Sequence, residues 1–237
     1  MMDERFSRTA ALLGEEGLSR LARARVMLVG LGGVGGYAVE ALARAGVGHM
    51  LFCDFDTVSV SNINRQILAL DSTVGQKKTA VAAERVRQIN PSAELVTADL
   101  FLDETNALDL IASFHPDYII DAIDAVSSKV ALIAAAKTLS VPIISCMGTG
   151  NKLEPEKLMV ADIAKTHTCP LARAVRTRLR ALDIHHVDVL FSTEKPIPPR
   201  VPCVEGKSVP ASVSFVPSVA GLMLGGFVIR RLTEGVV

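Results

Sequence analysis

The glycine-rich segment GLGGVGG is the feature that most constrains the fold of this chain. It follows the apolar segment RVMLVG at residues 25–30 and precedes VEALARAG, whose apolar residues recur at helical spacing until Gly46. The apolar segment HMLFC comes next. A strand, a tight turn, a helix and a second strand in this order predict a parallel unit with a crossover connection.

The same alternation continues along the first part of the chain. Further strands are expected at 93–98, 117–124 and 141–148, and further helices at 76–90, near 104–113 and at 127–140. This pattern predicts an α/β fold with a doubly wound, mainly parallel, Rossmann-like sheet.

The regular alternation ends after residue 150. We expect residues 1–150 to form the core of the fold and residues 151–237 to form a C-terminal lobe packed on the same core. Loops, one basic helix and a few strands are expected up to residue 210, before a closing apolar helix at 217–233. The apolar run at 215–229 is shorter than a spanning helix and contains Pro217, so we expect a buried or dimer-interface helix, with peripheral membrane contact left open.

Composition narrows the classes of partner and site. Lys plus Arg and Asp plus Glu each number 25, so a nucleic-acid partner would have to meet a local basic patch. No C-x-x-C pair occurs, which argues for reduced thiols and against a zinc site. The N-terminal segment lacks the apolar core of a signal peptide, so a cytoplasmic location is expected. The cysteines are Cys53, Cys146, Cys169 and Cys203.

The glycine turn has the spacing of a nucleotide-binding loop. Gly30, Gly32 and Gly35 give G-x-G-x-x-G, with Gly33 between them, and Asp54 ends the second strand about 20 residues later. Such glycines let the backbone approach a phosphate at a helix N-terminus, and the acid would accept hydrogen bonds from ribose hydroxyls. The pattern up to Asp54 fits a dinucleotide site as well as an ATP site.

The segment after Asp54 distinguishes these two sites. Lys77 and Lys78 open the next helix, and a dense polar set comes before them. Its members are Asp56, Asn62, Asn64, Arg65 and Gln66. Arg and Lys beside a nucleotide suit a triphosphate, because fixed cations stabilise the charge that builds up on phosphoryl oxygens. Each residue taken singly could be a solvated loop charge, whereas the whole set predicts an ATP site.

Two acids, Asp121 and Asp124, close the fourth predicted strand in the segment DAID. Ligands of open parallel sheets lie at this carboxyl edge, where a carboxylate could hold Mg²⁺ against the polyphosphate. Of the two acids, we favour Asp124 over Asp121 as the Mg²⁺ ligand. Asp124 could also cap the helix that begins near Ala125, and the two roles are compatible.

Together these motifs resemble the ThiF-like adenylating domain of the ubiquitin-activating-enzyme superfamily. The shared elements are RFSR, GLGGVGG, D-x-D-x-V-x-x-x-N-x-N-R-Q, V-G-x-x-K and D-x-x-D, in this order. The resemblance implies that residues 1–150 form an ATP-binding adenylation core. Such a core uses ATP and Mg²⁺ to convert a carboxylate into an acyl adenylate, with release of pyrophosphate.

The resemblance also implies roles for individual residues. Residues 30–35 would cradle phosphate, Asp54 would bind the ribose and Asp124 would hold the metal. Arg8, in RFSR, would reach the ATP of a partner subunit, which implies a homodimer. The residues that would contact the triphosphate are Asn64, Arg65 and Lys78, since Lys77 does not fit the V-G-x-x-K spacing.

The second half of the chain carries a more specific resemblance. MGTGNKLEPEKLMVADIAKTHTCPLARAVRTRLR and SVSFVPSVAGLMLGG are similar to tRNA threonylcarbamoyladenosine dehydratases. This implies cyclisation of a modified adenosine beside the anticodon, in which the threonyl carboxylate is adenylated and then captured within the same modification. The alternative is an activator of a ubiquitin-like or sulfur-carrier protein, a group that usually carries two zinc-binding C-x-x-C pairs. A sulfur-transfer protein stays open as a partner.

A basic segment in this half favours RNA as the substrate. Five Lys or Arg residues and no acid lie from Lys165 to Arg180. Arg173, Arg176 and Arg180 recur at helical spacing, so we expect one basic stripe that binds tRNA phosphates. A solvated helix face is the alternative, and the absence of acids in the segment favours RNA.

The thiols offer one further candidate for chemistry. Cys169 lies beside basic residues that could lower its pKa. Intramolecular capture of an adenylate needs no enzyme nucleophile, however, and Cys169 would also fit as a small buried residue before Pro170. Cys146 is expected in the core.

Overall fold

The computed structural model describes residues 3–201 and 210–236, so Cys203 lies outside the described residues. Within them, seven strands form one sheet in the order β3-β2-β1-β4-β5-β7-β6. The strands are β1 (Arg25–Val29), β2 (His49–Cys53), β3 (Glu94–Ala98), β4 (Tyr118–Asp121), β5 (Ile143–Cys146), β6 (Leu158–Asp162) and β7 (Asp188–Ser192). Neighbouring strands are parallel except for β6 and β7. The predicted mainly parallel α/β sheet is confirmed.

Helices cover both faces of this sheet. They are α1 (Ser7–Arg23), α2 (Gly35–Ala45), α3 (Lys78–Ile89), α4 (Ala107–Phe114), α5 (Val126–Thr138), α6 (Pro170–Arg180) and α7 (Phe215–Leu232). The apolar side chains of α2, α3 and α7 form the core on one face, and those of α4, α5 and α6 form the core on the other. A sheet covered on both faces accounts for the nearly continuous apolar strands.

The strand order of the sheet reverses between β1 and β4. The chain builds outward from β1 to β2 and β3, and then places β4 on the other side of β1. The connections after β1 and β4 therefore diverge and open a crevice at the carboxyl edge of the sheet. The glycine turn, Asp54 and the segment DAID follow β1, β2 and β4 respectively, so the topology brings these motifs together.

Residues beyond 150 extend the same sheet. β7 pairs in parallel with β5, and β6 pairs with β7 in the antiparallel direction. The basic helix α6 packs on α5. The division of the chain at residue 150 stays a prediction, but strands from both sides of it share one hydrogen-bonded sheet.

The closing helix α7 packs closely on α2. A Cβ on Gly221 would collide with the carbonyl oxygen of Val34, and one on Gly225 would lie 2.5 Å from Ala41 Cβ. By length and composition α7 could span a membrane, and 39% of its 18 residues are buried within the protein. The close contact with α2 supports the predicted buried helix.

Two local features interrupt the regular elements, one at the end of a strand and one within a helix. The strand expected at 117–124 ends at Asp121, whose Oδ1 accepts from the Ile123 N–H at 3.0 Å, and the following residues leave the sheet as a loop. The N-terminal helical segment is broken at Gly14, whose φ of 74° lies in the left-handed region. The structure therefore has two helical segments there, joined by a kink.

Candidate active site

A cleft of about 880 Å³ opens at the carboxyl edge of the sheet. One end, which we call the phosphate end, is formed by the glycine turn and the loops after β2 and β4. The other, the far end, is formed by the loop after β5 and the start of α6. Pockets of this size hold ligands as large as a nucleotide, and the two ends offer different chemistry.

The glycine turn lies too close to neighbouring backbone for side chains. Gly30 has a φ of 91°, and a Cβ there would lie 2.7 Å from the Ala122 carbonyl oxygen. A Cβ on Gly35 would collide with the Gly30 carbonyl oxygen. Gly32 and Gly33 line the cleft together with Gly30, whereas Gly35 packs behind it. The N-terminus of α2 has no side-chain cap, so it can meet an anion.

Asp54 is fixed beneath the glycine turn by two backbone groups. The Leu31 N–H donates to Asp54 Oδ2 at 2.6 Å, and the Asp56 N–H donates to Oδ1 at 2.8 Å. Asp54 is buried but lines the cleft. Because each carboxylate oxygen can accept a second hydrogen bond, this arrangement is compatible with the predicted ribose contact.

Lys78 is a buried cation at the phosphate end. It is 5% exposed, lines the cleft, and donates from Nζ to Asp56 Oδ2 at 2.8 Å. The Asp56 side chain is half-exposed, so a phosphate could take its place as acceptor without moving the lysine. Lys77 instead donates to the Phe55 carbonyl oxygen at 3.2 Å and does not line the cleft.

The loop after β2 carries the remaining predicted phosphate ligands. Arg65 Nη1 donates to Ser61 O at 2.9 Å and to Asn64 Oδ1 at 2.8 Å. Asn64 does not line the cleft. Its Nδ2 donates to Ser212 O at 3.1 Å, and its Oδ1 is the acceptor for Arg65. Gln66 Oε1 is buried without a partner among the described residues. Of the predicted polar residues from 62 to 66, Asn62, Arg65 and Gln66 line the cleft.

The two acids of DAID lie in different environments. Asp121 is fully buried, and its Oδ2 accepts from Lys129 Nζ at 2.8 Å and from the Ser145 hydroxyl. Asp124 is exposed, lines the cleft, and makes no side-chain hydrogen bond in the described part of the chain. The alternative role of Asp124 as a helix cap is wrong, because the N-cap of α5 is Ala125 and no side chain caps this helix.

Asp124 suits one particular kind of Mg²⁺ site. The described ranges 3–201 and 210–236 contain no group of three or more His, Cys, Asp or Glu side chains that could hold a metal ion. Mg²⁺ at nucleotide sites is held by one or two carboxylates, with phosphate oxygens and water as its other ligands. The exposed carboxylate of Asp124 beside the phosphate end fits that mode of binding, and the described residues do not fit an all-protein metal centre.

Sequence reasoning missed several side chains that line the cleft, among them Phe55, Phe101 and Ser128. Phe55 and Phe101 form an edge-to-face pair with ring centroids 5.1 Å apart, and both rings are half-exposed, so they can contact a flat base. Ser128 lies in the first turn of α5, and its buried Oγ has no partner among the described residues. The motif D-F-D offered a signal for Phe55, whereas Phe101 follows a different strand and had none.

Two thiols lie at the far end of the cleft. Burial raises the pKa of the Cys146 thiol to about 12, so it is protonated at neutral pH, and its place in the core is confirmed. Cys169 is buried at the N-cap of α6, and its Sγ would lie 3.4 Å from a Cβ built on Gly148. This packing supports the interpretation of Cys169 as a small buried residue.

The helix α6 presents basic side chains beside a second cavity of about 590 Å³. The exposed members of the basic segment are Lys165, Arg173, Arg178 and Arg180. Arg176 departs from the predicted stripe, because it is half-buried and its Nη1 donates to the carbonyl oxygen of Thr166 at 3.0 Å and also to the Thr166 hydroxyl. Arg178, which the stripe did not include, lines this cavity together with Arg173 and Arg176.

Arg8 lies on the exposed surface of α1. It does not line the cleft of its own chain and makes no side-chain hydrogen bond with the described residues. Its expected contact with the ATP of a partner subunit stays a prediction.

Comparison with known proteins gives full-length matches. A model described as the ThiF family matches residues 6–234. The tRNA threonylcarbamoyladenosine dehydratase of Bacillus subtilis is 41% identical over 247 aligned positions, which cover 99% of this chain and 97% of that protein. The crystal structure of Escherichia coli tRNA N6-threonylcarbamoyladenosine dehydratase in complex with ATP has a TM-score of 0.89 and 37% identity, covering 97% of this chain and 93% of that one.

A shorter match involves a different activity. The molybdopterin-synthase adenylyltransferase of Salmonella typhimurium is 43% identical over 143 aligned positions, which cover 60% of this chain and 57% of that protein. The similarity to the dehydratases therefore extends over a much larger share of this chain.

Proposed function

This chain belongs to the ThiF family, and we propose that it is an ATP-dependent tRNA threonylcarbamoyladenosine dehydratase. The observation that carries this proposal is the similarity to the Bacillus subtilis dehydratase over 99% of the chain, which includes its C-terminal part. The enzyme adenylates the threonyl carboxylate of the modified adenosine beside the anticodon, and the activated group then cyclises.

The phosphate end of the cleft suits ATP. Glycines that bring backbone N–H groups to the start of α2 can hold phosphate oxygens, and Asp54 can accept from the ribose. Phe55 and Phe101 offer aromatic surface to the base. The cations of this end, Lys78 and Arg65, are already held by neighbouring acceptors, so they need little rearrangement when the nucleotide binds.

The reaction proceeds in two steps. A threonyl carboxylate oxygen bonds to the α-phosphorus of ATP, and the bond from that phosphorus to pyrophosphate breaks. A nucleophile in the same modification then attacks the acyl carbon, and AMP leaves with the former carboxylate oxygen, so the nucleoside loses one water. Arg65 and Lys78 stabilise the charge on the phosphoryl oxygens, and the cleft holds the reacting groups together.

We include Mg²⁺ as a cofactor, with Asp124 as its protein ligand. Support comes from the carboxylate of Asp124, which is exposed beside the phosphate end and has no partner among the described residues. When bound there, Mg²⁺ would offset charge on the triphosphate.

The tRNA would lie across α6. The exposed basic residues Lys165, Arg173, Arg178 and Arg180 support this placement, and Cys169 and Pro170 line both the cavity beside α6 and the catalytic cleft. Phosphate contacts of this kind position the RNA without reading its sequence. Recognition of the modified base is then left to the cleft.

The assembly and location are proposals of the same kind. We propose a homodimer in which Arg8 reaches the ATP of the partner subunit, supported by the motif RFSR and by the exposure of Arg8. We propose a cytoplasmic enzyme, since ATP and tRNA are available there, with peripheral membrane contact through α7 as a secondary possibility. A sulfur-transfer protein is retained as a candidate partner on the resemblance to sulfur-carrier activators.

The second candidate function is activation of a ubiquitin-like or sulfur-carrier protein, which the 43% identity to a molybdopterin-synthase adenylyltransferase favours. One assay separates the two. The protein is incubated with ATP, Mg²⁺ and either modified tRNA or carrier proteins, while pyrophosphate and nucleoside mass are followed. We expect pyrophosphate release and loss of one water from the tRNA nucleoside. Turnover with a carrier protein alone would replace our proposal by the second candidate.

A further inference from the structure

Lys152 carries a buried charge at the far end of the cleft. The residue lines the cleft, yet it is only 3% exposed. Its Nζ donates to the backbone carbonyl oxygen of Glu194 at 2.7 Å. An ammonium group has three N–H donors, and this is the one hydrogen bond that Nζ makes to the described residues. The remaining donors have no protein acceptor there.

The carboxylate of Glu194 does not neutralise this charge directly. Its Oε1 accepts from the Leu153 N–H at 2.9 Å, and its Oε2 accepts from the Glu154 N–H at 3.0 Å. The carboxylate is therefore committed to the backbone. Within residues 3–201 and 210–236, no carboxylate lies within salt-bridge distance of Lys152 Nζ.

The other buried lysines of the described chain are paired. Lys78 Nζ lies 2.8 Å from Asp56, and Lys129 Nζ lies 2.8 Å from Asp121. Burial lowers the pKa of Lys152 below its usual value, although Cys169 and Glu194 act in the opposite direction. A buried charge is unfavourable unless a counter-ion compensates it, so Lys152 has the properties of a ligand site for an anion.

The loop that carries Lys152 is held rigidly. Asn151 has a φ of 59°, and its backbone N–H donates to Ala211 O at 2.7 Å. Its side-chain Oδ1 accepts from the Ala211 N–H at 2.7 Å, and its backbone O accepts from the Ile197 N–H at 2.8 Å. Lys152 is thus anchored beside a strained residue that three hydrogen bonds fix in place.

We propose that Lys152 binds the carboxylate that is adenylated, and thereby selects the modified nucleoside over unmodified adenosine. The inference rests on the proposed function and assigns the acid substrate to the far end of the same cleft. A carboxylate supplies the opposite charge, and one of its oxygens has the lone pairs to accept from the remaining N–H groups of Lys152.

A cation at the far end also suits the chemistry. The substrate carboxylate and the triphosphate are both anions, and they must approach each other before the first step. The charge of Lys152 offsets the repulsion between these two anions. Its ammonium group holds one carboxylate oxygen while the other oxygen attacks the α-phosphorus. Lys152 therefore acts on the acid, whereas Arg65 and Lys78 act on ATP.

The test compares Lys152→Gln with the natural enzyme on two forms of one tRNA. Gln keeps a donor for Glu194 O but removes the charge, so the loop should stay folded, and thermal unfolding checks this. Dissociation constants are measured for tRNA with and without the threonylcarbamoyl group, and for ATP. The matched control is Lys137→Gln, which removes an exposed lysine of α5 that does not line the cleft.

The natural enzyme and the Lys137 variant should both prefer the modified tRNA. We expect Lys152→Gln to weaken binding of modified tRNA roughly 10- to 100-fold, with binding of unmodified tRNA and ATP unchanged. Lys152→Arg should recover part of the preference. Equal weakening for both tRNAs, weaker ATP binding, or an unchanged preference would each overturn the proposal for Lys152. A natural enzyme with no preference and no product would overturn the proposed function itself.

Discussion

The phosphate end of the cleft and the exposed surface of α6 both carry cations for phosphate, but they hold them in opposite ways. At the phosphate end, Lys78 is buried and bonded to Asp56, and Arg65 is held by Ser61 and Asn64. On α6, Arg173 and Arg180 extend from the helix with no side-chain partner among the described residues.

This difference reflects what each surface has to do. Stabilising charge during a reaction requires donors at fixed positions, because a donor that must reorganise contributes less. Holding a long polyanion requires several exposed charges, none of which needs a fixed geometry. Single substitutions should therefore have large effects on rate at the phosphate end and small, additive effects on affinity along α6.

The largest effect is expected for Asp124→Asn. The carboxamide keeps the size of the side chain but loses the charge that would hold Mg²⁺, so we expect adenylation to fall at least roughly 10³-fold. Pyrophosphate release with modified tRNA measures it. Asp109→Asn, on the exposed face of α4, is the control. Activity near the natural level in the Asp124 variant would contradict the expectation that single substitutions have larger effects on rate at the phosphate end than on affinity along α6.

Gly35→Ala should be nearly as severe, but through structure. The added Cβ would collide with the Gly30 carbonyl oxygen, so the glycine turn must open. We expect a loss of unfolding free energy of about 3 kcal/mol and much weaker ATP binding. Gly226→Ala is the matched control, since its Cβ would meet only Arg230 Nη1 at 3.5 Å. Calorimetry measures both quantities. Equal unfolding free energies and equal ATP affinities in the two variants would contradict the close approach of Gly35 to the Gly30 carbonyl oxygen.

Two substitutions within α6 should have different effects: that of Arg176 on stability, and that of Arg173 on RNA binding. Arg176→Gln removes the bond to Thr166 and should lower the unfolding free energy by about 1–2 kcal/mol, with little change in the salt dependence of tRNA binding. Arg173→Gln should leave stability unchanged and reduce the slope of log affinity against log salt by about 1. The reverse assignment would show that Arg176 is the RNA ligand.

The smallest effect is expected for Cys169→Ser. Because ring closure within the substrate needs no enzyme nucleophile, the rate of dehydration should stay within about twofold. Burial of a hydroxyl in place of the thiol should lower stability by about 1 kcal/mol. Loss of product with retained adenylation would mean that the thiol takes part in the second step.

The sequence was sufficient wherever function depends on local chain geometry. The glycine turn, the acid that ends β2 and the polar loop after it are each encoded by adjacent residues, so pattern and spacing predicted the fold and where Gly30, Asp54 and Arg65 would lie. Cys146 could likewise be assigned to the core, since it ends an apolar strand.

It was insufficient wherever a partner from a distant segment decides the role. Asp121 and Asp124 look alike in DAID, and only the buried pair with Lys129 separates them. Arg176 has helical spacing like that of its neighbours, but Thr166 in the preceding turn binds it. Lys152 could not be recognised as buried, and its one acceptor among the described residues, the carbonyl oxygen of Glu194, lies 42 residues further along the chain.

The contact between α2 and α7 sets the order in which the active site can assemble. The glycine turn is synthesised early, yet Gly33 rests against Pro217 and Val34 against Gly221, across most of the length of the chain. Contacts between such distant segments form late in folding, whereas N-terminal segments leave the ribosome first. A nascent chain without α7 should therefore contain much of the sheet but bind ATP poorly. ATP binding would then begin only after α7 has been synthesised and has packed against α2.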